Sequence, residues 1–420
     1  MPLDIHRHPC FSDTARHRFA RIHLPVAPDC NLQCNFCKRK YDCANESRPG
    51  VTSAVLTPGQ ALHYLDKVIQ RDPRISVVGI AGPGDPFATP DRTLETLRLV
   101  RERYPEMLLC VASNGLNVAP YVAELAELGL SHLTITVNAV DPAIGAQIYA
   151  WVRDGKRMLR GLEAGRRVWE RQAAAIQAAK DRGLTVKINT IIVPGVNDGH
   201  VVEVARRTAE LGADIANCVP LYPVPDTPFG TIESPSSQAV ASLRSEVTKH
   251  LPVMQHCARC RADAVGLLGE PMRPEIELCL LQSASLPLNP SEERSYVAVA
   301  SLEGVLFNQH LGEAEQYSIF TKEGDGFRLV ESRTAPSPGG GPNRWLTLAK
   351  ILHDCRALLV SGAGNTPREV LTGQGVQVVV MEGLIEEGLD AIFRGASVRA
   401  PLRAEHRCGV GCAGDGRGCL

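Results

Sequence analysis

Three cysteines sit in the stretch CNLQCNFC, at Cys30, Cys34 and Cys37, directly after the apolar run RIHLPVAP. Three residues separate the first pair and two separate the second. Three thiolates can hold three irons of a four-iron cubane and leave the fourth iron without a protein ligand, whereas a fully capped structural cluster wants four cysteines. An open iron can chelate a small molecule. Zinc is the competing reading. Structural zinc usually takes two separated CxxC-like pairs that close a tetrahedron, and CxxxCxxC on one short loop fits that poorly. Other cysteines crowd nearby: Cys10 and Cys43 also fall in the first tenth of the chain. Cys257 and Cys260 form a later CxxC, while Cys408, Cys412 and Cys419 lie in a glycine-rich tail.

The chain carries 14 cysteines in 420 residues. Its start, MPLDIHRHPC, has no apolar h-region, and no apolar run is long enough to cross a bilayer. A cytoplasmic location is therefore expected. In that reducing setting, clustered cysteines point to metal ligation rather than disulfides. A net charge of -1 provides no basic footprint for nucleic acid. Hydrophobic content of 44% and charged content of 22% are ordinary for a globular chain. The length predicts two or three domains.

The elements that must position these cysteines alternate regularly. Between about residues 20 and 260, β-rich runs (ARIHLPVA, ISVVGIAG, LLCVASNG, LTITVNAV, LTVKINTIIV and DIANCVPLY) are followed by helical stretches such as PGQALHYLDKVIQ and TLETLRLVRERY. Six βα units predict a parallel sheet, open or curled into a partial barrel, with function at the C-terminal ends of the strands. The cysteine loop, the GPGD of residues 82–85, the SNG that begins at Ser113, and Asn138 all fall at such ends. The segment SASLPLNPSEER reads as a linker. Beyond it, YVAVAS, YSIFT, ALLVSG and QVVVME predict strands, and RWLTLAKILHD and PREVLTG predict helices, of a smaller α/β domain. The expected division is a barrel with ligand-bearing extensions over 1–282, a linker over 283–295, the second domain over 296–398 and a Gly/Cys-rich tail over 399–420.

CxxxCxxC after the first strand of such a unit resembles the radical S-adenosylmethionine (SAM) enzymes. The resemblance implies a (βα)6 partial TIM barrel. It also implies a cluster on Cys30, Cys34 and Cys37 whose open iron binds SAM and cleaves it to a 5′-deoxyadenosyl radical. It places Phe36 beside adenine, and Gly82, Gly84 and Asp85 where the family has a glycine-rich segment near the SAM amino group. The GPGD form departs from that family's common GGE. Ser113, Asn114, Asn138 and Asn189 become candidates for the ribose or carboxylate. Taken singly, an asparagine more often caps a helix or turn.

Around residues 8–51, HPC and RIHLPVAPDCNLQCNFCKRKYDCANESRPGV look like the NifB family of nitrogenase cofactor maturases. That resemblance implies a carbide synthase: two four-iron clusters are fused, a carbide from a SAM methyl group is inserted, sulfur is added, and an eight-iron precursor leaves. It implies that His23, Cys43 and Cys110 hold one substrate cubane and that Cys10, Cys257 and Cys260 hold the other. Soft thiolates suit that cargo. Without the resemblance, CARC is equally a redox or zinc pair, and His23 in an apolar strand is more often a core residue. Glu46 is a candidate proton acceptor or labile iron ligand, with Arg48 paired to it or to SAM. Glu46 could instead be an N-terminal helix or turn carboxylate. Cys218, Cys279 and Cys355 lie in apolar contexts and are assigned to packing.

Residues 296 to 398 resemble the NifX/NafY-type cofactor-binding domain, of α/β, RNase H-like fold, most clearly at NQHLGEAEQYSIF, where His310 is the candidate cluster contact. The implied partners are cluster donors, cofactor acceptors of nitrogenase assembly, and an electron donor such as ferredoxin or flavodoxin. Two other readings compete. One is a radical SAM enzyme with auxiliary clusters, of molybdopterin-cyclase or peptide-modifying type. The other is a non-catalytic metallocluster carrier.

Overall fold

The computed structural model describes residues 4–11, 13–45, 50–257, 260–284 and 294–394. Contacts divide the chain into two units, Met1–Glu277 and Leu278–Leu420.

In the first unit, six apolar runs form parallel strands: β1 Ala20–His23, β2 Ile75–Ile80, β3 Leu108–Ser113, β4 Leu130–Thr136, β5 Thr185–Ile192 and β6 Ile215–Pro220. They pair in chain order, and a two-residue strand, β7 Val265–Gly266, adds antiparallel to β1. The sheet is the (βα)6 half-barrel expected. β7 was invisible in the sequence because two residues have no period to read.

Helices follow the strands: α1 Pro58–Arg71, α2 Pro90–Arg103, α3 Val122–Glu127, α5 Gly161–Asp181, α6 Val201–Glu210 and α7 Ser237–Thr248. The first shows why its boundary is sharp. Thr57 caps the Gln60 amide, Gln60 answers the Thr57 amide, and Pro58 sits in the first turn. Its buried face is Ala61, Tyr64, Leu65 and Val68, the spacing of one helical stripe. Between β4 and α5 the chain inserts a short helix, α4 Pro142–Ile148, and two strands, Tyr149–Asp154 and Arg157–Leu159. The first of these strands pairs with Leu32–Cys34. This small sheet packs with Phe36, Leu116, Ile148, Val152 and Val193 in one buried cluster, and so anchors the cysteine loop.

The second unit is a five-stranded mixed sheet. Its strands are β8 Tyr296–Val299, β9 Gln316–Glu323, β10 Gly326–Thr334, β11 Cys355–Val360 and β12 Gln377–Val380, in the order β10-β9-β8-β11-β12. The first three are antiparallel; β11 and β12 are parallel to β8. That is the order of an RNase H-like domain. Cys355 is fully buried in its core, and Cys218 and Cys279 are buried as well.

Candidate functional site

The cysteine loop is held by backbone before any ligand is considered. After β1 the chain runs beside residues 82–85. The Gly84 amide donates to Ala27 O at 2.6 Å and the Asp85 amide to Asp29 O at 2.6 Å. A Cβ on Gly84 would stand 2.0 Å from Asp29 O, so only glycine permits this approach. The Asp85 carboxylate accepts from the Phe87 amide at 2.9 Å, the Asn114 amide at 2.6 Å and Ser113 Oγ at 3.1 Å. Gly82 adopts φ +137°, in the region open to glycine. Gly82, Gly84, Asp85, Ser113 and Asn114, all expected near SAM, therefore tie the cysteine loop to the ends of β2 and β3. Asp85 is buried, which pushes its carboxyl upward, while these donors pull it down.

Burial pushes the Cys30 thiol up to about 11, raises Cys34 well above the ordinary thiol value, and raises Cys37. Opposing this, N–H donors surround the sulfurs. Asn114 Nδ2 lies 3.9 Å from Cys30 Sγ and Asn45 Nδ2 lies 3.8 Å from Cys34 Sγ. The Leu32 and Ala44 amides favour the anions of Cys30 and Cys37. Thiols reluctant to ionise alone, yet ringed by donors that favour thiolate, suit an iron-bearing site. Phe36 is buried at 1% exposure, its ring centroid 6.5 Å from that of Phe229.

Inside the half-barrel lies a cavity enclosing about 710 Å³ free of protein atoms, its open mouth included. Cys10, His23, Cys110, Cys257 and Cys260 all line it. The strand register explains two of them. His23 pairs with Gly79 and Gly79 with Cys110, so their side chains share one face across β1, β2 and β3. A Cβ on Gly79 would stand 2.9 Å from the His23 ring and 3.0 Å from Cys110 Sγ. Gly79 is thus the gap that these two ligand candidates fill. Cys43, the sixth outer-ligand candidate, is not among the residues that line the cavity; its amide donates to Pro83 O at 2.8 Å.

His23 Nδ1 lies 3.0 Å from Arg261 O. A carbonyl only accepts, so Nδ1 carries the proton and Nε2 keeps its lone pair. Burial and then Arg21 hold His23 down to about 4, and it is neutral at pH 7 as a ligand must be. Burial pushes Cys10 up to about 11 against the pull of Lys187 and Arg21. Arg21 donates to Cys260 Sγ at 3.0 Å and to Leu267 O at 2.9 Å.

A row of amides joins the cysteine loop to the far side of the cavity. Asn138 Nδ2 donates to Asn45 Oδ1 at 3.1 Å, Asn189 Nδ2 to Asn45 O at 3.5 Å, and Asn217 Nδ2 to Asn189 Oδ1 at 3.1 Å. Asn217 Nδ2 also lies 3.3 Å from Cys257 Sγ. Asn114 reaches back to Asn31 Oδ1 at 2.7 Å.

Sequence reasoning passed over Asn31, Asn45 and Asn217, and also Arg21, His8, His132 and Lys187. One signal was present. Polar residues alternate through LSHLTITVN and TVKIN, where a strand buried on both faces would be apolar throughout. Among the described residues, no three His, Cys, Asp or Glu side chains close on a point as a single-ion site requires. Thiolates of a cubane stand on separate irons. Glu46, Arg48 and the tail cysteines Cys408, Cys412 and Cys419 lie outside the described residues. In the second unit, His310 bridges to Gly362, and its Nδ1 accepts from the Gly312 amide at 3.1 Å. That leaves Nε2 to carry the proton.

Residues 24–208 match the Radical SAM superfamily, and residues 293–395 match the Dinitrogenase iron-molybdenum cofactor family. With its cysteine loop at the mouth of a half-barrel, the chain is a radical SAM enzyme, a class that uses a 4Fe–4S cluster and SAM. It is 55% identical to the FeMo cofactor biosynthesis protein NifB of Chlorobaculum tepidum over 423 residues, covering 100% of both chains. It is 39% identical to the same-named protein of Klebsiella pneumoniae, over 89% of this chain and 86% of that one. The chain belongs to the NifB family. No helix among the described residues is long and apolar enough to cross a membrane.

Proposed function

We propose that this chain is a carbide synthase of nitrogenase cofactor assembly. It would fuse two four-iron clusters around a carbide derived from a SAM methyl group and release an eight-iron precursor of the iron–molybdenum cofactor. The observation that carries this reading is the cavity: Cys10, His23, Cys110, Cys257 and Cys260 line one space inside the barrel. A radical SAM enzyme acting on an organic substrate has no need of so many soft ligands there.

Cys30, Cys34 and Cys37 would hold the resident cluster, which when bound supplies the electron that cleaves SAM. The protein's own part is positional. Gly84 and Asp85 lock the cysteine loop against β2 and β3. His23, Cys43 and Cys110 would hold one substrate cubane, and Cys10, Cys257 and Cys260 the other. A histidine among thiolates makes the first set weaker, which suits a cargo that must leave. Glu46 would take a proton or act as a labile iron ligand, with Arg48 paired to it or to SAM. Phe36, Ser113, Asn138 and Asn189 act as supports of the SAM site, with Asn138 and Asn189 bound through Asn45 to the Cys34 loop. His310 in the second unit would receive the product. Cluster donors, a cofactor acceptor and a ferredoxin- or flavodoxin-type reductant complete a cytoplasmic pathway.

The test is anaerobic. The protein is supplied with iron, sulfide, SAM and reductant. 5′-Deoxyadenosine, S-adenosylhomocysteine and a transferable cluster that activates cofactor-free nitrogenase are expected. If the six outer ligands can all be changed to Ala with no loss of iron, the reading is wrong.

A further inference from the structure

The parallel sheet has two ends, and one short stretch of chain joins them. β1 and β6 are the first and last of its six parallel strands. At β6, the Ala216 amide donates to Pro252 O and the Met254 amide to Ala216 O, both at 2.8 Å. At β1, the His23 amide donates to Ala264 O at 2.8 Å, and β7 pairs with Arg21 and Ile22. Cys257 and Cys260 fall between these two attachments. Each sulfur meets an N–H donor from a different end of the sheet. Arg21 of β1 donates to Cys260 Sγ at 3.0 Å, and Asn217 of β6 donates to Cys257 Sγ at 3.3 Å. Both donor residues are buried.

Neighbours fix the direction of both donors. The Arg21 guanidinium also donates to the carbonyls of Gly266 and Leu267, which hold its planar fork, and a guanidinium stays charged in proteins. The Asn217 amide is oriented by a chain of acceptors. The Asn45 carbonyl only accepts, so Asn189 turns Nδ2 toward it and Oδ1 toward Asn217, whose Nδ2 must answer. A cluster takes its cysteines as thiolates, and a thiolate buried without donors is unfavourable. Donors set in advance on the sulfurs reduce that cost and orient the ligands. Hydrogen bonds to sulfur also favour the reduced state of an iron–sulfur cluster.

We propose that Arg21 and Asn217 are positioning residues that grip the CARC pair from the two ends of the sheet and set how firmly it holds its cluster. Arg21 carries the larger part, because a charge-assisted hydrogen bond is about twice as strong as a neutral one. The inference rests on reading Cys257 and Cys260 as ligands of a substrate cluster.

The test compares full-length wild type with Arg21→Met, Arg21→Lys and Asn217→Asp. Asn217→Asp keeps the size of the side chain but replaces its N–H donor with a carboxylate oxygen. A double variant, Cys257→Ser with Cys260→Ser, reports on the pair itself. Each protein is reconstituted anaerobically with iron and sulfide and titrated with an iron chelator. The reduction potentials of its clusters are followed by electron paramagnetic resonance. Arg21→Met and Asn217→Asp are expected to keep the iron of Cys30, Cys34 and Cys37. The chelator concentration that removes half of the remaining iron should fall roughly 10–100-fold, most in Arg21→Met. The potential of the remaining clusters should shift downward in both, and Arg21→Lys should recover most of each change. A merely structural role would not move the potential. Wild-type retention and potential in both Arg21→Met and Asn217→Asp overturn the proposal. So does weaker retention at an unchanged potential. If Arg21→Met folds poorly, Asn217→Asp decides alone. If the double cysteine variant keeps all the iron of wild type, the pair holds no cluster, and both that reading and this inference fall. Loss of iron in the double variant with indifferent Arg21→Met and Asn217→Asp sinks this inference only.

Discussion

At the scale of single residues, the cavity is built from histidines held neutral and a glycine held empty. Burial lowers His8 well below its ordinary value, His23 to about 4 and His132 to about 3. The unfolded chain takes up these protons near pH 6.5. Below that pH the unfolded state binds more protons than the folded one, so stability is fully present above about pH 6.5 and falls as pH drops toward 4. Each unit of difference is worth about 1.4 kcal/mol. The denaturant midpoint of cluster-free protein should therefore fall between pH 7 and pH 5, and His132→Phe should flatten that slope. A midpoint indifferent to pH in the parent protein would refute the buried neutral imidazoles. Gly79 has the opposite vulnerability. Gly79→Val would push side-chain carbons into the space of His23 and Cys110. About four irons per chain should be lost on reconstitution, with the triad cluster kept. Iron analysis decides this.

At the scale of elements, β1 and β3 carry His23 and Cys110 while loops carry most of the other ligand candidates, and hydrogen bonds fix those loops. Asp42, next to Cys43, accepts from the Thr52 amide at 3.0 Å, from Thr52 Oγ1 at 2.6 Å and from the Ala262 amide at 3.4 Å. Asp263 accepts from the Ser53 amide at 3.0 Å and from Arg261 Nε at 3.1 Å. The segment after Cys43 is thereby clamped to the segment after Cys260, although more than two hundred residues of chain lie between them. Asp42→Ala leaves buried donors without an acceptor, at a cost of about 1–3 kcal/mol. Amide exchange should quicken in residues 50–53 and 260–264 and stay unchanged in α1. Uniform protection in the variant would show that the clamp does not matter. Gly84→Ala should be harsher. Its Cβ would meet the Asp29 carbonyl, which cannot move without moving Cys30. That variant should hold no triad iron and yield no 5′-deoxyadenosine.

At the scale of the whole molecule, the two units have separate cores and separate candidate ligands. Truncation after Ala284 should leave SAM cleavage near its parent rate and reduce delivery of the product cluster to an acceptor. His310→Ala in the full chain should reproduce the delivery defect alone. Loss of SAM cleavage on truncation would contradict a division of labour between units.

The sequence by itself determined the class. Cys30, Cys34 and Cys37 lie on one short loop, so their spacing alone defines a ligand set, and the six apolar runs alternate with helical stripes because each strand and helix writes its own period. His23, Cys110 and the later CxxC were expected as outer ligands only through family resemblance: locally, CARC is equally a redox or zinc pair, and His23 reads as a core residue. Only the tertiary structure decided that they face one cavity. Convergence depends on strand register, on Gly79 leaving a gap, and on Asp42 and Asp263 joining distant loops. The same holds for Asn217, which in the string IANCVP is an asparagine in a strand like any other, and which the curl of the sheet places in that cavity, 3.3 Å from Cys257 Sγ.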